Sequence, residues 1–162
     1  MATDIYLKVD GVDGESVREG CDKWIELETY SWGASQSGTA HFGTGAGSGR
    51  ADVQDLHVTK YLDKTSPVLL QNLLTGKPYK TVVLKLRKVA DGNPIDYMMF
   101  TMGEALVTSY NTGGSKGGDD RIVEQLSFNF ANMKMEYILQ DKQGKPAGKV
   151  PASYDVAAGK TM

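Results

Sequence analysis

Apolar and polar residues alternate with period two through most of this 162-residue chain, the pattern of strands that bury one face. The stretches "DIYLKV", "VQDLHVTKYL" (residues 53–62), "KTVVLKLRKV" (80–89), "IDYMMFTMGEALVTSY" (95–110) and "RIVEQLSFNFANMKMEYIL" (121–139) each read as a strand. Turn residues such as those of "DGVDGES" separate them, so the pattern predicts an all-β domain.

Three places depart from plain alternation. "KWIELETYSWGAS" reads as a strand that is apolar on both faces, with Ile25 and Leu27 pointing one way and Trp24, Tyr30 and Trp32 the other. A wall with one wet side does not need this, so the second face is expected to be covered. In the last long strand, Leu126, Phe128 and Phe130 hold even parity, whereas Met133, Met135 and Tyr137 hold odd parity. A bulge or a change of packing surface near Ala131 and Asn132 follows. In "KTSPVLLQNLLTGKP", Ser66 is placed to cap a helix, Pro67 suits its first position, and Gly76 with Pro78 ends it. Leu69, Leu70, Leu73 and Leu74 form the apolar stripe of that helix.

Two loops, "GTGAGSG" and "NTGGSKGGDD", are glycine-rich, and ordering such backbone costs more entropy than ordering any other. Beyond residue 139 the alternation stops. That stretch reads as an irregular tail, about 140–162, with one short edge strand around Val150 to Val156. The length suits a single domain over 1–162, with an extended glycine-rich loop at about 38–52.

A net charge of −2 and a pI near 5.7 give no general attraction for polyanions, and no nucleic-acid partner is expected. Lys85, Arg87 and Lys88 read as a solvated strand face. Cys21 is the sole cysteine, so there is no disulfide framework or paired-thiol motif, and it reads as an incidental thiol. Charges interrupt every apolar run of the N-terminus. No signal peptide, no segment long enough for a bilayer, and no membrane insertion are expected.

Candidate chemistry fails on spacing. Gly43, Gly45, Gly47 and Gly49 match neither G-x-G-x-x-G nor a phosphate loop, and no helix follows Arg50 to help it hold an anion. "GGSKG" (113–117) matches a nucleophile elbow, but a strand follows it and both histidines, His41 and His57, lie upstream. The histidines are sixteen residues apart without partners at zinc spacing, and Asp119 with Asp120 lacks the alternate oxygens of a calcium loop. No metal, cofactor or catalytic residue is assigned.

"DGES" (13–16), "YSWGASQSGTAH" (30–41), "VQDLHVTKYLDKTSP" (53–67) and "TGGSKGGDDR" leading into "LSFNFANMKMEY" (126–137) together resemble the haemolysin-coregulated protein (Hcp) family, the tube subunits of bacterial type VI secretion systems. The resemblance runs from the start of the chain to about residue 140. It implies a mainly β fold, a closed antiparallel β-barrel of two sheets with one short flanking α-helix. It also implies homo-hexameric rings that stack into a tube within contractile sheath proteins, behind a spike protein of the valine-glycine-repeat family, with small effector toxins in the lumen. On that view Trp24, Tyr30 and Trp32 meet a neighbouring subunit. Gly43, Gly45, Gly47, Gly49 and Arg50 form a ring-stacking loop. Ser31 lies either on the lumen wall, touching cargo, or inside the barrel. The protein would assemble in the cytoplasm, leave without a signal peptide and do no chemistry. The alternatives are a secreted β-barrel hydrolase and a monomeric ligand-binding barrel.

Overall fold

A computed structural model describes residues 3–38, 48–90 and 92–162. Its strands are β1 (Thr3–Val9), β2 (Ile25–Leu27), β3 (Thr29–Ser31), β4 (Ala34–Gly38), β5 (Ser48–Val53), β6 (Leu56–Tyr61), β7 (Tyr79–Ala90), β8 (Asn93–Thr112), β9 (Val123–Gln140) and β10 (Pro146–Asp155). One helix, α1 (Ser66–Thr75), lies between β6 and β7. The main sheet runs β2-β1-β7-β8-β9-β6-β3, with β10 added to β9 and every pairing antiparallel.

The two ends of that order are neighbours in the chain, and this closes the barrel. β2 pairs with β1 while β3 pairs with β6, and only Glu28 separates them, its N–H donating to the Thr59 carbonyl at 2.7 Å. The single strand expected over 23–35 is therefore corrected to short segments with different partners. Ile25 and Leu27 face the core, but the face alternation restarts at Glu28, so Tyr30 is the register partner of buried Val58.

A second break makes the other sheet. Val53 ends β5 and Leu56 begins β6, dividing the strand expected over 53–62. Opposite this division the chain turns at Trp32 and Gly33, the Gln54 N–H donating to the Gly33 carbonyl at 3.0 Å. Beyond it, β4 and β5 pair only with each other. Residues 39–47, including His41, Gly43, Gly45 and Gly47, lie outside the described residues.

The core holds Leu7, Ile25, Leu56, Val82, Phe100, Met102 and Phe128, each at most 2 % exposed. Phe100 meets Phe130 edge-on at 5.8 Å between ring centroids. The parity change in β9 is real: Phe130 and Met133 both lie in this core. It involves no slip, because Gly103 pairs with Asn132 and Ala105 with Phe130 in one continuous register. β8 changes parity at the same level, from Met102 to Ala105, through Glu104 at φ 50°. Both strands thus turn together. Gly103 is required there, since a Cβ would stand 2.3 Å from Asn132 Oδ1.

The helix forms where expected, with two differences. Thr65, rather than Ser66, occupies the N-cap position, and Gly76 closes the helix at φ 68°. Of the leucine stripe, Leu69 is fully buried and Leu73 packs against the core, while Leu70 and Leu74 are exposed. The tail is also more regular than expected, because β10 pairs with β9 over ten residues. Pro, Gly and Lys on an exposed edge strand hide the alternation that would have revealed it.

Two buried charge clusters tie these pieces together. Lys60 (1 % exposed) and Glu124 (0 %) are register partners facing inward, and their side chains are ion-paired. The Lys60 ammonium also donates to Ser66 Oγ at 3.1 Å and lies 3.0 Å from Asp63 Oδ1. Ser66 Oγ donates to Glu124 Oε1 at 2.6 Å, and the Tyr110 hydroxyl donates to the same carboxylate. This is why Ser66 does not cap: its hydroxyl pins the start of α1 to the wall. On the outside, Lys85 and Arg87 are buried rather than solvated as expected. Arg87 Nε donates to Asp96 Oδ1 at 2.7 Å and Nη1 to the Glu19 carbonyl at 2.6 Å; Lys85 lies 3.3 Å from Asp96 Oδ2. Burial works to raise the Asp96 carboxyl, but the Arg87 hydrogen bond and both cations hold it below the ordinary carboxylate range.

Candidate functional site

The aromatic set divides. Trp24 is half-buried on the outer side, its ring 4.3 Å from the Lys85 ammonium. Trp32 turns onto the core, with its ring centroid 4.6 Å from that of Phe100 and its indole N–H donating to the Gln54 carbonyl at 2.9 Å. Tyr30 alone is exposed, at 37 %. The three do not form one face, because the strand changes partner at Glu28 between the first and the other two. Trp32 instead acts as the pivot from which the β4–β5 arm leaves the barrel.

Ser31 lies on the outside and is exposed, which removes the reading that buried it in the barrel. Four strands carry it in a row: Ser31 pairs with His57, His57 with Ser127, and Ser127 with Ser109. Thr29, Thr59, Gln125 and Asn111 form the adjacent row by the same pairings. Strand alternation places these groups outward because Leu56, Val58 and Leu126 between them face the core. Part of this face forms a shallow groove of about 360 Å3.

The face is held by its own hydrogen bonds. Asp55 accepts from Thr108 Oγ1 and from Asn129 Nδ2, each at 2.8 Å, and the Thr108 and Ser127 hydroxyls are 2.7 Å apart. Ser127 is 2 % exposed and satisfied by these neighbours. The result is a wide, wettable surface of hydroxyls and amides. The sequence reading named Ser31 but not its neighbours on this face, although the recurring Ser, Thr, Asn and Gln at alternate positions of β6, β8 and β9 were a readable signal.

Gly49 and Arg50 lie in β5, with Arg50 exposed beside the segment that follows β10, lining a groove of about 910 Å3 with Gln36, Asp52 and Tyr154. Cys21 is completely buried, and burial pushes its thiol above the ordinary value despite the lowering influence of Lys85 and Arg87, so it is not poised as a nucleophile. Among the described residues, no three His, Cys, Asp or Glu side chains group to hold a metal ion, and no helix is long and apolar enough to cross a membrane.

A family model described as "Type VI secretion system effector, Hcp" matches residues 6–137. The chain belongs to the Hcp family. It is 40 % identical over 157 residues to protein hcp1 of Pseudomonas aeruginosa, covering 96 % of each chain. A solved type six secretion system protein superposes with a TM-score of 0.91 at 34 % identity, over 99 % of this chain and 100 % of the other. Hcp1 from Salmonella typhimurium does so with a TM-score of 0.81 at 33 % identity, over the full length of both. These likenesses cover β10 as well as the barrel, so the tail belongs to the Hcp fold.

Proposed function

We propose that this Hcp-family chain is a structural and transport subunit. Copies close into a hexameric ring, rings stack into a tube inside contractile sheath proteins, and a spike of the valine-glycine-repeat family travels at the tip. Small effectors are carried in the lumen, and the subunit itself does no chemistry. Assembly takes place in the bacterial cytoplasm, and the tube is then secreted.

The observation that carries this reading is the hydroxyl and amide face of β3, β6, β9 and β8. A channel wall must stay wet and bind cargo weakly, which such groups do and an apolar or strongly charged wall does not. Ser31 then faces the lumen. Tyr30, on β3, and Trp24, on the outer side against Lys85, contribute to subunit contacts from separate faces. The segment holding Gly43, Gly45, Gly47, Gly49 and Arg50 reaches toward the next ring. Deleting residues 43–49 then spares the isolated ring and weakens stacking and secretion.

Labelling tests the lumen placement directly. With Cys21 buried, S31C supplies the reactive thiol. In assembled rings it reacts with a small maleimide but slowly with a long polymer maleimide, and dissociation abolishes the difference. Equal polymer labelling in both states contradicts a lumen position.

A further inference from the structure

A β-bulge sets the polarity of the hydroxyl face. Val107 pairs with Phe128 and Ser109 with Ser127, so Thr108 is an extra residue in β8. Such a bulge sets two residues of one strand against one of the other. The Thr108 and Ser109 hydroxyls therefore both reach Ser127 Oγ, at 2.7 and 2.5 Å. Thr108 also meets the side chain of Asp55, the residue before β6.

The carboxylate decides where each proton goes. It can only accept, so Thr108 gives its single hydroxyl hydrogen to Asp55 Oδ2 at 2.8 Å. Thr108 then accepts from Ser127, Ser127 accepts from Ser109, and the Ser109 hydrogen is spent in turn. Asn129 donates through Nδ2 to Asp55 Oδ1 at 2.8 Å, which directs its own Oδ1 away from the carboxylate. Every hydrogen of the hydroxyl chain runs inward to Asp55. The patch therefore presents oxygen lone pairs: those of Ser109 Oγ and Asn129 Oδ1, and the remaining ones of Asp55. The rows around it, from Ser31 to Ser109 and from Thr29 to Asn111, contain no lysine or arginine, and His57 is their one ionisable side chain. Leu106, the register partner of Asn129 and 36 % exposed, adds an apolar shoulder.

We propose that Asp55, Ser109 and Asn129 form a site for cationic N–H donors, the guanidinium and ammonium groups of basic cargo segments. The proposal rests on the lumen reading above and adds which cargo chemistry the wall favours. A guanidinium brings five donors and no acceptor to a patch whose own hydrogens are spent, while its alkyl stem lies along Leu106. A carboxylate brought to the same patch meets only lone pairs and a like charge. In a closed ring each copy contributes one patch, so a segment with several basic residues engages more than one at a time.

Fluorescence anisotropy on the full chain tests it, with arginine and glutamate hexapeptides carrying the same dye, at one fixed pH. The arginine peptide binds about tenfold or more tightly than the glutamate peptide, and weakens as salt rises from about 50 to about 500 mM. D55N removes the charge and offers Thr108 an amide N–H, which lets the hydroxyl chain reverse; arginine-peptide binding falls about tenfold. S109A loses one neutral acceptor and weakens binding about threefold, and it carries the test by itself if D55N fails to fold by circular dichroism. E19Q removes an exposed carboxylate from the loop that Arg87 holds on β7, and binds as the wild type does. Equal binding of the two peptides, wild-type binding by both D55N and S109A, or an E19Q loss as large as that of D55N overturns the proposal. Particle mass is read on the same samples. A ring without the arginine preference overturns the site and leaves the tube reading, whereas a monomer that keeps a preference sensitive to D55N overturns the tube reading and leaves the site.

Discussion

Lys60→Met removes one member of a fully buried ion pair and leaves the Glu124 carboxylate without its cation. Tyr110 and Ser66 still donate to that carboxylate, but neither carries charge. Breaking a buried pair this way costs about 3–5 kcal/mol, because one desolvated charge loses the partner that offset its burial. For a domain of this length each kcal/mol lowers Tm by about 2–4 °C, so K60M melts roughly 10–15 °C below the wild type. Removing both charges, as in K60M/E124L, takes away the penalty along with the attraction and returns stability to within about 1–2 kcal/mol. Urea denaturation followed by Trp24 and Trp32 fluorescence at one fixed protein concentration measures all three chains. A K60M cost under about 1 kcal/mol, or a double variant no more stable than the single, refutes the buried ion pair as the source of this stability.

Other outcomes follow from the same geometry. Tyr110 is pushed up to about 12 by burial and by its hydrogen bond to Glu124, so its proton is retained on folding and its contribution is complete below pH 10. Stability therefore falls as pH rises from 10 through 12, and Y110F flattens that alkaline limb in a pH series of melts. Asp96, held below the ordinary carboxylate range, contributes above about pH 4 and loses that contribution as pH falls through its lower folded value. D96N costs about 2–3 kcal/mol at pH 7 and shows a shallower acid limb, whereas an acid limb parallel to the wild type counts against the assignment. G103A drives a Cβ into Asn132 and costs about 1–3 kcal/mol; N132A in the same chain recovers most of it.

Much of the barrel was legible because period-two alternation survives wherever a strand keeps one partner on each side. β7 lies within one residue at each end of the stretch read from sequence, and β8 and β9 within two. The parity change between Phe130 and Met133 also read correctly, since it swaps which residues are apolar. The break at Glu28 did not, because a strand that changes partners still looks alternating. Trp24, Tyr30 and Trp32 thus looked like one face while pointing to different surroundings. The buried charges were equally hidden: Lys60, Lys85, Arg87 and Glu124 carry the letters of solvated positions, and only the partners brought from distant strands show otherwise. Ser31 was named through resemblance alone, whereas its row with His57, Ser127 and Ser109 required the register of four strands.

Negative-stain electron microscopy with light scattering on the purified protein decides whether this Hcp chain works by assembly. A tube subunit gives annular particles of one diameter with an open centre, at six times the subunit mass, some stacked end to end at high concentration. A homogeneous monomer without rings at any concentration contradicts it.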